Sequence, residues 1–172
     1  MIMNGIIYVE NFLENHFELF NNLMDSITWD ARMKVRKTAS FGKAYNYSQM
    51  DYPYQEFTEE LNEIIESINN KLYFRPNNCL INLYEDGRST MGFHSDQTGM
   101  LFENTGVVII SLGETRTLRF RNIKERKVNI DYDLPSGSLI YMDNLIQETW
   151  QHAIPESNTV NGRMSLTFRK LR

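Results

Sequence analysis

The sequence is poor in cysteine and has no long apolar run. Its single cysteine, Cys79, excludes an intrachain disulfide and a zinc site built on several cysteines. Any metal ion would therefore need histidine and carboxylate ligands. The longest apolar runs, such as residues 107–112, are much shorter than the ~18 residues of a membrane-spanning helix, and the first residues lack the basic and apolar segments of a targeting peptide. We therefore expect a cytoplasmic protein with no membrane partner.

The composition is that of an ordinary globular protein. Of the 172 residues, 41% are hydrophobic and 23% are charged, which excludes the disordered, collagen-like and membrane classes. A chain of this length buries about two-thirds of its unfolded surface in one core. We predict a single domain over residues 1–172 and a monomer.

The charged residues are unevenly distributed along the chain. The net charge of −4 argues against a protein that coats nucleic acid through phosphate neutralisation alone. Residues 32–43, however, contain five basic residues and no acid, and residues 115–127 contain six basic residues with Glu125 as the single acid. This distribution permits one basic face on an acidic body, as in proteins that contact a phosphate backbone. Solvated surface charge would give the same pattern.

The region before Cys79 predicts a short strand followed by two helices. The strand is predicted at residues 6–9. Asn11 and Glu14 have the spacing of a capping box and predict the start of the first helix. Its predicted apolar face consists of Leu13, Phe17, Phe20 and Met24. The second helix is predicted at residues 58–72, where apolar residues recur at helical spacing. Residues 29–55 show no clear periodicity and are predicted to form a substrate-facing loop region.

From Cys79 onward the pattern of apolar residues has a period of two. It predicts strands at residues 79–84, 90–96, 106–112, 115–121, 127–132, 138–142, 147–154 and 163–169. Turn pairs such as Asp86-Gly87 and Asn161-Gly162 separate several of them. Many short strands after two helices predict an α+β fold: an antiparallel sandwich or jelly roll with the N-terminal helices packed on one sheet.

Three residues of the strand-rich half have the chemistry of a metal site. His94 and Asp96 are two apart on a predicted strand, so both side chains leave the same face. His152 is the other histidine of this half of the chain. Two imidazoles and one carboxylate form the facial triad of non-haem Fe(II) oxygenases. Surface histidines, or histidines of a polar core, are the alternative interpretation of these residues.

The last predicted strand carries a second polar face. Strict alternation places Arg163, Ser165 and Arg169 on one side and apolar residues on the other. Each guanidinium group could bind a carboxylate through two parallel hydrogen bonds. Asn82 and Tyr84 share a face of an earlier strand in the same way. An edge strand with solvated arginines is the alternative.

In order and spacing, these motifs resemble the AlkB family of Fe(II)- and 2-oxoglutarate-dependent dioxygenases. The matching residues are Asn82-x-Tyr84, His94-x-Asp96, Ser111-Leu112-Gly113, His152 and Arg163-x5-Arg169. A weaker segment, Phe41-Gly42 with Tyr45-Asn46-Tyr47-Ser48, resembles the nucleotide-recognition region of the family. The resemblance implies a double-stranded β-helix with the iron site in residues 79–172, and a helical portion with the nucleotide-recognition lid in residues 1–78.

The resemblance also implies residue roles and a reaction. Fe(II) would be bound by His94, Asp96 and His152, which would form the catalytic centre with dioxygen. The co-substrate 2-oxoglutarate would be bound by Asn82, Tyr84, Arg163, Ser165 and Arg169. Substrate contacts would come from Tyr45, Tyr47, Lys34 and Arg36, with Arg119 and Arg121 as further backbone contacts. The implied reaction is oxidative demethylation of N-alkylated bases in DNA or RNA, a repair activity on single strands or flipped bases.

Three classes of function stay open from the sequence. The first is an AlkB-like demethylase of nucleic acid. The second is an oxygenase with the same iron site that acts on a protein side chain or a small metabolite. The third is a non-catalytic jelly-roll binding module. Thr98 stands where many repair members of the family carry an acid, so we expect looser discrimination among methylated bases.

Overall fold

The structure is a computed structural model that describes residues 3–47 and 50–172. Helices and strands alternate in the first half of the chain, and strands dominate the second half. In chain order the elements are β1 (Ile6–Val9), α1 (His16–Ser26), β2 (Lys37–Gly42), β3 (Tyr45–Tyr47), β4 (Met50–Tyr52), α2 (Glu59–Leu72), β5 (Asn78–Tyr84), β6 (Met91–His94), β7 (Val107–Gly113), β8 (Arg116–Asn122), β9 (Asn129–Leu134), β10 (Leu139–Met142), α3 (Asn144–Thr149), β11 (Trp150–Ile154) and β12 (Arg163–Arg169). Within these described ranges, no helix has both the length and the apolar character needed to cross a membrane.

Antiparallel sheets make up most of the fold. The major sheet has the strand order β1-β10-β7-β12-β5-β2, and the minor sheet has the order β6-β11-β8-β9. Strands β3 and β4 form a separate hairpin. The antiparallel β architecture predicted from the strand pattern is confirmed, and it is consistent with a jelly roll.

The major sheet is buried on both faces because its strands alternate between two hydrophobic clusters. On β12, Met164, Leu166 and Phe168 belong to one cluster together with side chains of α1 and α2. On β5, Leu80 and Tyr84 belong to the other cluster, which also contains Leu118 and Phe120 of the minor sheet. The second cluster therefore lies between the two sheets, where the remaining side chains of β12 are found.

The first helix differs from its prediction in both start and orientation. Helix α1 begins at His16, and the preceding residue makes no side-chain cap within the described part of the chain. The backbone N–H groups of Phe12 and Leu13 instead donate to Gly137 O, so the predicted first turn is a loop held against the β9–β10 turn. The predicted apolar face is buried only in part, since Leu13 and Phe20 pack against the hydrophobic cluster but Phe17 and Met24 are exposed. The fully buried residues of the helix are Leu19 and Leu23, which the predicted face did not include.

Three of the four residues of the predicted helix face line a surface cavity. Phe17 is 76% exposed. Together with Phe20 and Met24 it lines a cavity of about 830 Å³ that contains none of the predicted iron or 2-oxoglutarate residues. The predicted face therefore lies at the edge of the core, since Phe20 also packs against the hydrophobic cluster, whereas Phe17 and Met24 are exposed.

Two further predictions of local structure need correction. The strand predicted at residues 147–154 begins at Trp150, because Asn144–Thr149 form helix α3. The Asp143 side chain caps this helix by accepting a hydrogen bond from Ile146 N at 3.0 Å. The predicted loop region, residues 29–55, contains β2, which pairs with β5. Five of the six residues of β2 are buried, so the strand lacks the alternation that reveals half-buried strands.

Replacement of Leu23 tests the orientation of α1. Leu23 is fully buried in the cluster that α1 shares with α2 and the major sheet, so Leu23→Ala should lower the free energy of unfolding by about 2–5 kcal/mol. Phe17→Ala removes a larger side chain from an exposed position and should change the free energy of unfolding by less than about 0.5 kcal/mol. Urea denaturation measures both. A larger loss in Phe17→Ala would contradict the observed orientation.

Candidate active site

His94, Asp96 and His152 come together at one end of the minor sheet. The register of β6 and β11 pairs His94 directly with His152, and the two ring centroids are 4.4 Å apart. Nε2 of His94 lies 3.5 Å from Asp96 Oδ1. Nε2 of His152 lies 3.7 Å from Asp96 Oδ2. One ligand atom from each residue therefore faces a common point, with all three within 4.8 Å of one another.

This spacing fits a single metal ion. Two atoms that each lie about 2.1 Å from one ion are at most about 4.2 Å apart, and both histidine-to-aspartate separations are shorter. The His94 ring is oriented by its other nitrogen, since Nδ1 donates to Gly92 O at 2.9 Å and leaves Nε2 toward Asp96. Two imidazoles and one carboxylate on one side of an ion leave positions for co-substrate and dioxygen.

The charge states of Asp96 and His152 suit metal binding, and that of His94 makes this binding sensitive to pH. Burial favours the neutral form of the Asp96 carboxyl, but the hydrogen bond from His94 and the charge of Arg169 outweigh it and hold the pKa of Asp96 well below its usual range. Burial lowers the pKa of His152 to about 4. Burial also disfavours protonation of His94, but the hydrogen bond and charge of Asp96 prevail and raise the pKa of His94. At neutral pH, Asp96 is thus ionised and His152 is neutral.

Gln147 is a structural neighbour of the metal residues that the sequence did not reveal. It lies on α3, is 5% exposed, and its Oε1 accepts a hydrogen bond from Asp96 N at 2.8 Å. Ser95 Oγ donates to Trp150 O at 2.9 Å in the same region. These two bonds fix the segment after β6 against the chain that leads into β11. Nothing in the sequence indicated this role, because Gln147 falls in the stretch predicted as a strand.

The predicted 2-oxoglutarate residues line the interior face of the major sheet. In the register of β12 and β5, Arg163 is opposite Tyr84 and Ser165 is opposite Asn82, and directly opposed residues share a face. Arg163 is 1% exposed. Its Nη2 donates to Ser111 Oγ at 2.8 Å. Ser111 belongs to a motif noted in the sequence, but its contact with Arg163 is a finding of the structure.

The buried guanidinium groups have hydrogen-bonding capacity to spare. Nε and Nη1 of both Arg163 and Arg169 are buried and make no hydrogen bond to any described residue. Burial lowers the pKa of Arg163 to about 10, so this side chain is still a cation at neutral pH. Arg169 Nη2 lies 3.5 Å from Asp96 Oδ1, beside the metal residues. Buried charges are costly unless they are paired, and a small dicarboxylate would supply the missing acceptors.

Arg116 is a third buried arginine, and its surroundings differ. Its guanidinium donates to four backbone carbonyls, those of Asp86, Gly87, Ser89 and Pro155. These bonds tie the segment between β5 and β6 to the end of β11. Arg116 therefore stabilises the fold through both Nη atoms, whereas Arg163 and Arg169 keep Nη1 as well as Nε available for a ligand.

The predicted substrate contacts divide into buried and exposed residues. Arg36 is 7% exposed, so it is not a surface phosphate contact as predicted. Its Nε donates to Asn82 Oδ1 at 3.3 Å, and its guanidinium lies 5.9 Å from the centroid of the Tyr84 ring. Arg36 therefore extends from the loop before β2 into the predicted co-substrate site. Lys34 is exposed.

The two tyrosines predicted to contact the substrate have different outcomes. Tyr45 is 7% exposed, and the Arg169 guanidinium lies 5.0 Å from the centre of its ring. Tyr45 thus packs over an arginine of the site, which argues against an exposed phosphate contact. The side chain of Tyr47, together with Ser48, lies outside the described part of the chain, so the role of Tyr47 stays a prediction.

A cavity of about 400 Å³, here called the mouth cavity, opens beside the metal residues. Among its lining residues are His94, Asp96, Arg36, Tyr45 and Phe93. It therefore connects the surface with the metal residues and with one end of the co-substrate site. Thr98 lies just beyond, in a turn where its carbonyl accepts a hydrogen bond from Leu101 N at 3.0 Å.

Comparison with known proteins identifies relatives that match most of this chain. A family model described as the 2OG-Fe(II) oxygenase superfamily matches residues 10–169. Alpha-ketoglutarate-dependent dioxygenase alkB homolog 3 of Homo sapiens is 26% identical over 171 residues, covering 88% of this chain and 60% of the relative. DNA oxidative demethylase ALKBH2 of Homo sapiens is 27% identical over 150 residues, covering 79% of this chain and 56% of the relative.

The fold has a counterpart among solved structures. The structure of OsALKBH1 superposes with a TM-score of 0.74 at 16% identity and covers 99% of this chain. At this identity the likeness concerns the fold alone. The chain spans about three-fifths of the length of the alkB homolog 3 relative.

Removal of one histidine tests the metal site. His152→Ala should weaken binding of Mn²⁺ or Co²⁺, measured by calorimetry, by more than the ~10- to 100-fold typical of outer-sphere residues. His16→Ala is the matched control, because His16 lies at the start of α1 and outside the cluster of metal residues. An equal loss in the two variants would contradict the assignment.

The pH dependence of metal binding follows from the state of His94. Metal ions bind deprotonated ligands, and the pKa of His94 is raised above its ordinary value by Asp96. Metal affinity should therefore fall as the pH decreases through that raised pKa, and the fall should begin above the ordinary histidine value. Calorimetric titrations of Co²⁺ across this range measure the effect. Affinity that stays constant down to the lowered pKa of His152, about 4, would contradict it.

Proposed function

Because the chain belongs to the 2OG-Fe(II) oxygenase superfamily and is AlkB-like, we propose that it is an Fe(II)- and 2-oxoglutarate-dependent dioxygenase that oxidatively demethylates N-alkylated bases in DNA or RNA. The observation that carries the proposal is the combination in one interior site of the metal triad and two arginines with unfilled hydrogen-bonding capacity. The relatives named as alkB homolog 3 and as a DNA oxidative demethylase support the choice of substrate.

The chemistry of the reaction divides between the bound groups and the protein. When bound, Fe(II) and 2-oxoglutarate would supply the oxidation of a substrate C–H bond: one oxygen atom of dioxygen would enter that bond, and the other would enter the succinate formed with carbon dioxide from 2-oxoglutarate. An N-methyl group oxidised in this way becomes a hydroxymethyl group, which leaves as formaldehyde and returns an N–H to the base. The protein contributes binding, orientation and electrostatics.

Each part of the site has a role in this proposal. His94, Asp96 and His152 hold the ion, and Arg169 keeps Asp96 ionised. Arg163, oriented by Ser111, pairs with the distal carboxylate of 2-oxoglutarate, in a pocket that Asn82, Tyr84 and Ser165 complete. Arg36 contacts Asn82 and thereby closes the pocket on the side of the mouth cavity.

The mouth cavity is the proposed position of the target base. Its volume of about 400 Å³ is adequate for one base, and its walls include the His94 ring and Tyr45. A base within a duplex is out of reach, so the substrate is a single strand or a flipped base. Tyr47 and Lys34 are proposed as further contacts.

The proposal extends to the whole chain as one monomeric dioxygenase domain. Residues 79–172 supply most strands of a double-stranded β-helix. Helices α1 and α2 cover the outer face of the major sheet, an arrangement supported by the hydrophobic cluster that they share with β12. The hairpin of β3 and β4 serves as the nucleotide-recognition lid.

One observation favours the second function, oxidation of a protein side chain or a small metabolite. Two of the predicted nucleic-acid contacts, Arg36 and Tyr45, are buried, and Arg119 is paired with Asp131 at 2.8 Å. The basic surface is therefore smaller than the sequence predicts. The iron chemistry would be the same.

The test is an assay for two products. The protein, supplied with Fe(II), 2-oxoglutarate and an N-methylated single-stranded oligonucleotide, should release formaldehyde and succinate together, and His152→Ala should release neither. Succinate without formaldehyde from any methylated oligonucleotide would favour the second function. Absence of both products from the wild-type protein would favour a non-catalytic binding module.

Replacement of Arg163 tests the co-substrate site. A hydrogen bond to a charged group contributes ~1.5–3 kcal/mol, so Arg163→Ala should raise the KM for 2-oxoglutarate by about 10- to 150-fold. Affinity for the metal ion should change little. Arg163→Lys should stay impaired, because an ammonium group cannot reproduce the planar fork. An unchanged KM in Arg163→Ala would show that 2-oxoglutarate binds elsewhere.

A further inference from the structure

Two neighbouring cavities share one aromatic wall. Phe93 lines the mouth cavity and also a second cavity of about 490 Å³ on the outer face of the minor sheet, here called the flanking groove. The other residues of the flanking groove are Arg119, Arg121, Arg126, Asn129 and Asp131. Phe93 precedes His94 on β6, so the two side chains leave opposite faces of the strand. A chain-like ligand that fills the mouth cavity can therefore continue over Phe93 into the groove.

The centre of the groove is a stacked pair of side chains. The Arg121 guanidinium carbon lies 3.8 Å from the centroid of the Phe93 ring. A hydrogen bond from Arg121 Nη2 to Gln151 Oε1 at 3.0 Å fixes its orientation. Arg121 lies on the outer face because its neighbours Leu118 and Phe120 belong to the cluster between the sheets. Flat arginine and aromatic surfaces are what bases stack on in proteins that bind single strands.

Cations surround this stacked pair. Arg119 forms two hydrogen bonds with Asp131, at 2.8 and 2.9 Å, so its charge is largely balanced. The turn between β8 and β9 adds Lys124, Arg126 and Lys127, which are exposed. None of these three makes an ion pair with another described residue. Their charge is thus available for phosphate groups.

We propose that the flanking groove binds the nucleotides next to the target base, with a flanking base stacked on the Phe93–Arg121 pair and backbone phosphates at Arg126 and Lys127. The inference rests on the proposed function, since it assigns the path of the same nucleic-acid strand. An acidic protein segment would also pair with the cations, but it carries no bases to stack on Phe93 and Arg121. The juxtaposition of a flat surface and unpaired cations with the mouth cavity therefore favours a single-stranded nucleic acid.

The experiment measures binding of single-stranded 11-mers by fluorescence anisotropy over a range of salt concentrations, with Mn²⁺ in the metal site. Phe93→Ala should weaken binding by about 5- to 150-fold, the effect of removing one base stack, without changing the salt dependence. Arg126→Ala with Lys127→Ala should make the log–log salt slope shallower by about 0.7 for each phosphate that the variant no longer neutralises. Lys71→Ala, which removes an exposed cation of α2, is the matched control and should change neither quantity.

Phe93→Ala could also weaken binding by disturbing the structure next to His94. A second oligonucleotide separates this effect from the loss of stacking. An 11-mer with abasic sites on both sides of the central base should bind the wild-type protein more weakly by the same factor as Phe93→Ala binds the intact strand. The Phe93→Ala variant should then bind the two oligonucleotides with equal affinity. Equal affinity of the wild-type protein for both strands would overturn the inference, as would displacement of the intact strand by a glutamate-rich peptide of equal charge.

The two proposals fail in different ways. Formaldehyde release with no effect of Phe93→Ala on binding would leave the demethylase function in place and remove the flanking groove. The predicted binding effects without formaldehyde release from methylated 11-mers would keep the groove as a nucleic-acid site and remove the demethylase function.

Discussion

The position of β12 between β5 and β7 is the constraint on which the site depends. Antiparallel pairing along both edges fixes the register of this strand, and a shift of one residue would exchange its two faces. Met164, Leu166 and Phe168 are buried in the cluster shared with the helices. Their packing therefore holds Arg163 and Arg169 in the space between the sheets, although arginine side chains ordinarily remain in water.

The two sheets contribute different parts of the site. The minor sheet and the segment after β6 supply the three metal residues, and the major sheet supplies the two arginines with unfilled hydrogen-bonding capacity. Arg169 joins the two parts because it approaches Asp96 to 3.5 Å. Packing of the sheets through the shared cluster thus sets the separation between the candidate metal site and the buried arginines, and a change in that packing would affect both.

An acidic protein concentrates buried positive charge at this one place. The net charge of the chain is −4, yet the guanidinium groups of Arg36, Arg116 and Arg163 all lie within 5.9 Å of the Tyr84 ring. Backbone carbonyls accept hydrogen bonds from both Nη atoms of Arg116, whereas the described residues leave Nε and Nη1 of Arg163 without acceptors. Such an arrangement is costly in the free protein. Under the proposed function, a bound dianion would lower this cost, which would link affinity for the co-substrate to the stability of the site.

The sequence by itself determined the strand-rich half, the three residues of the candidate metal site and the alternating polar face of β12, because period-two spacing and residue chemistry are local properties. It did not reveal β2, since a strand buried on both faces has no alternation, and it misassigned Gln147 and the start of α1. Only the tertiary structure decided which charges are exposed. Arg36 enters the interior because β2 pairs with β5, a strand distant in sequence, and Arg119 meets Asp131 because the register of β8 and β9 places them opposite each other; neither the partner nor the register is marked on the residues themselves.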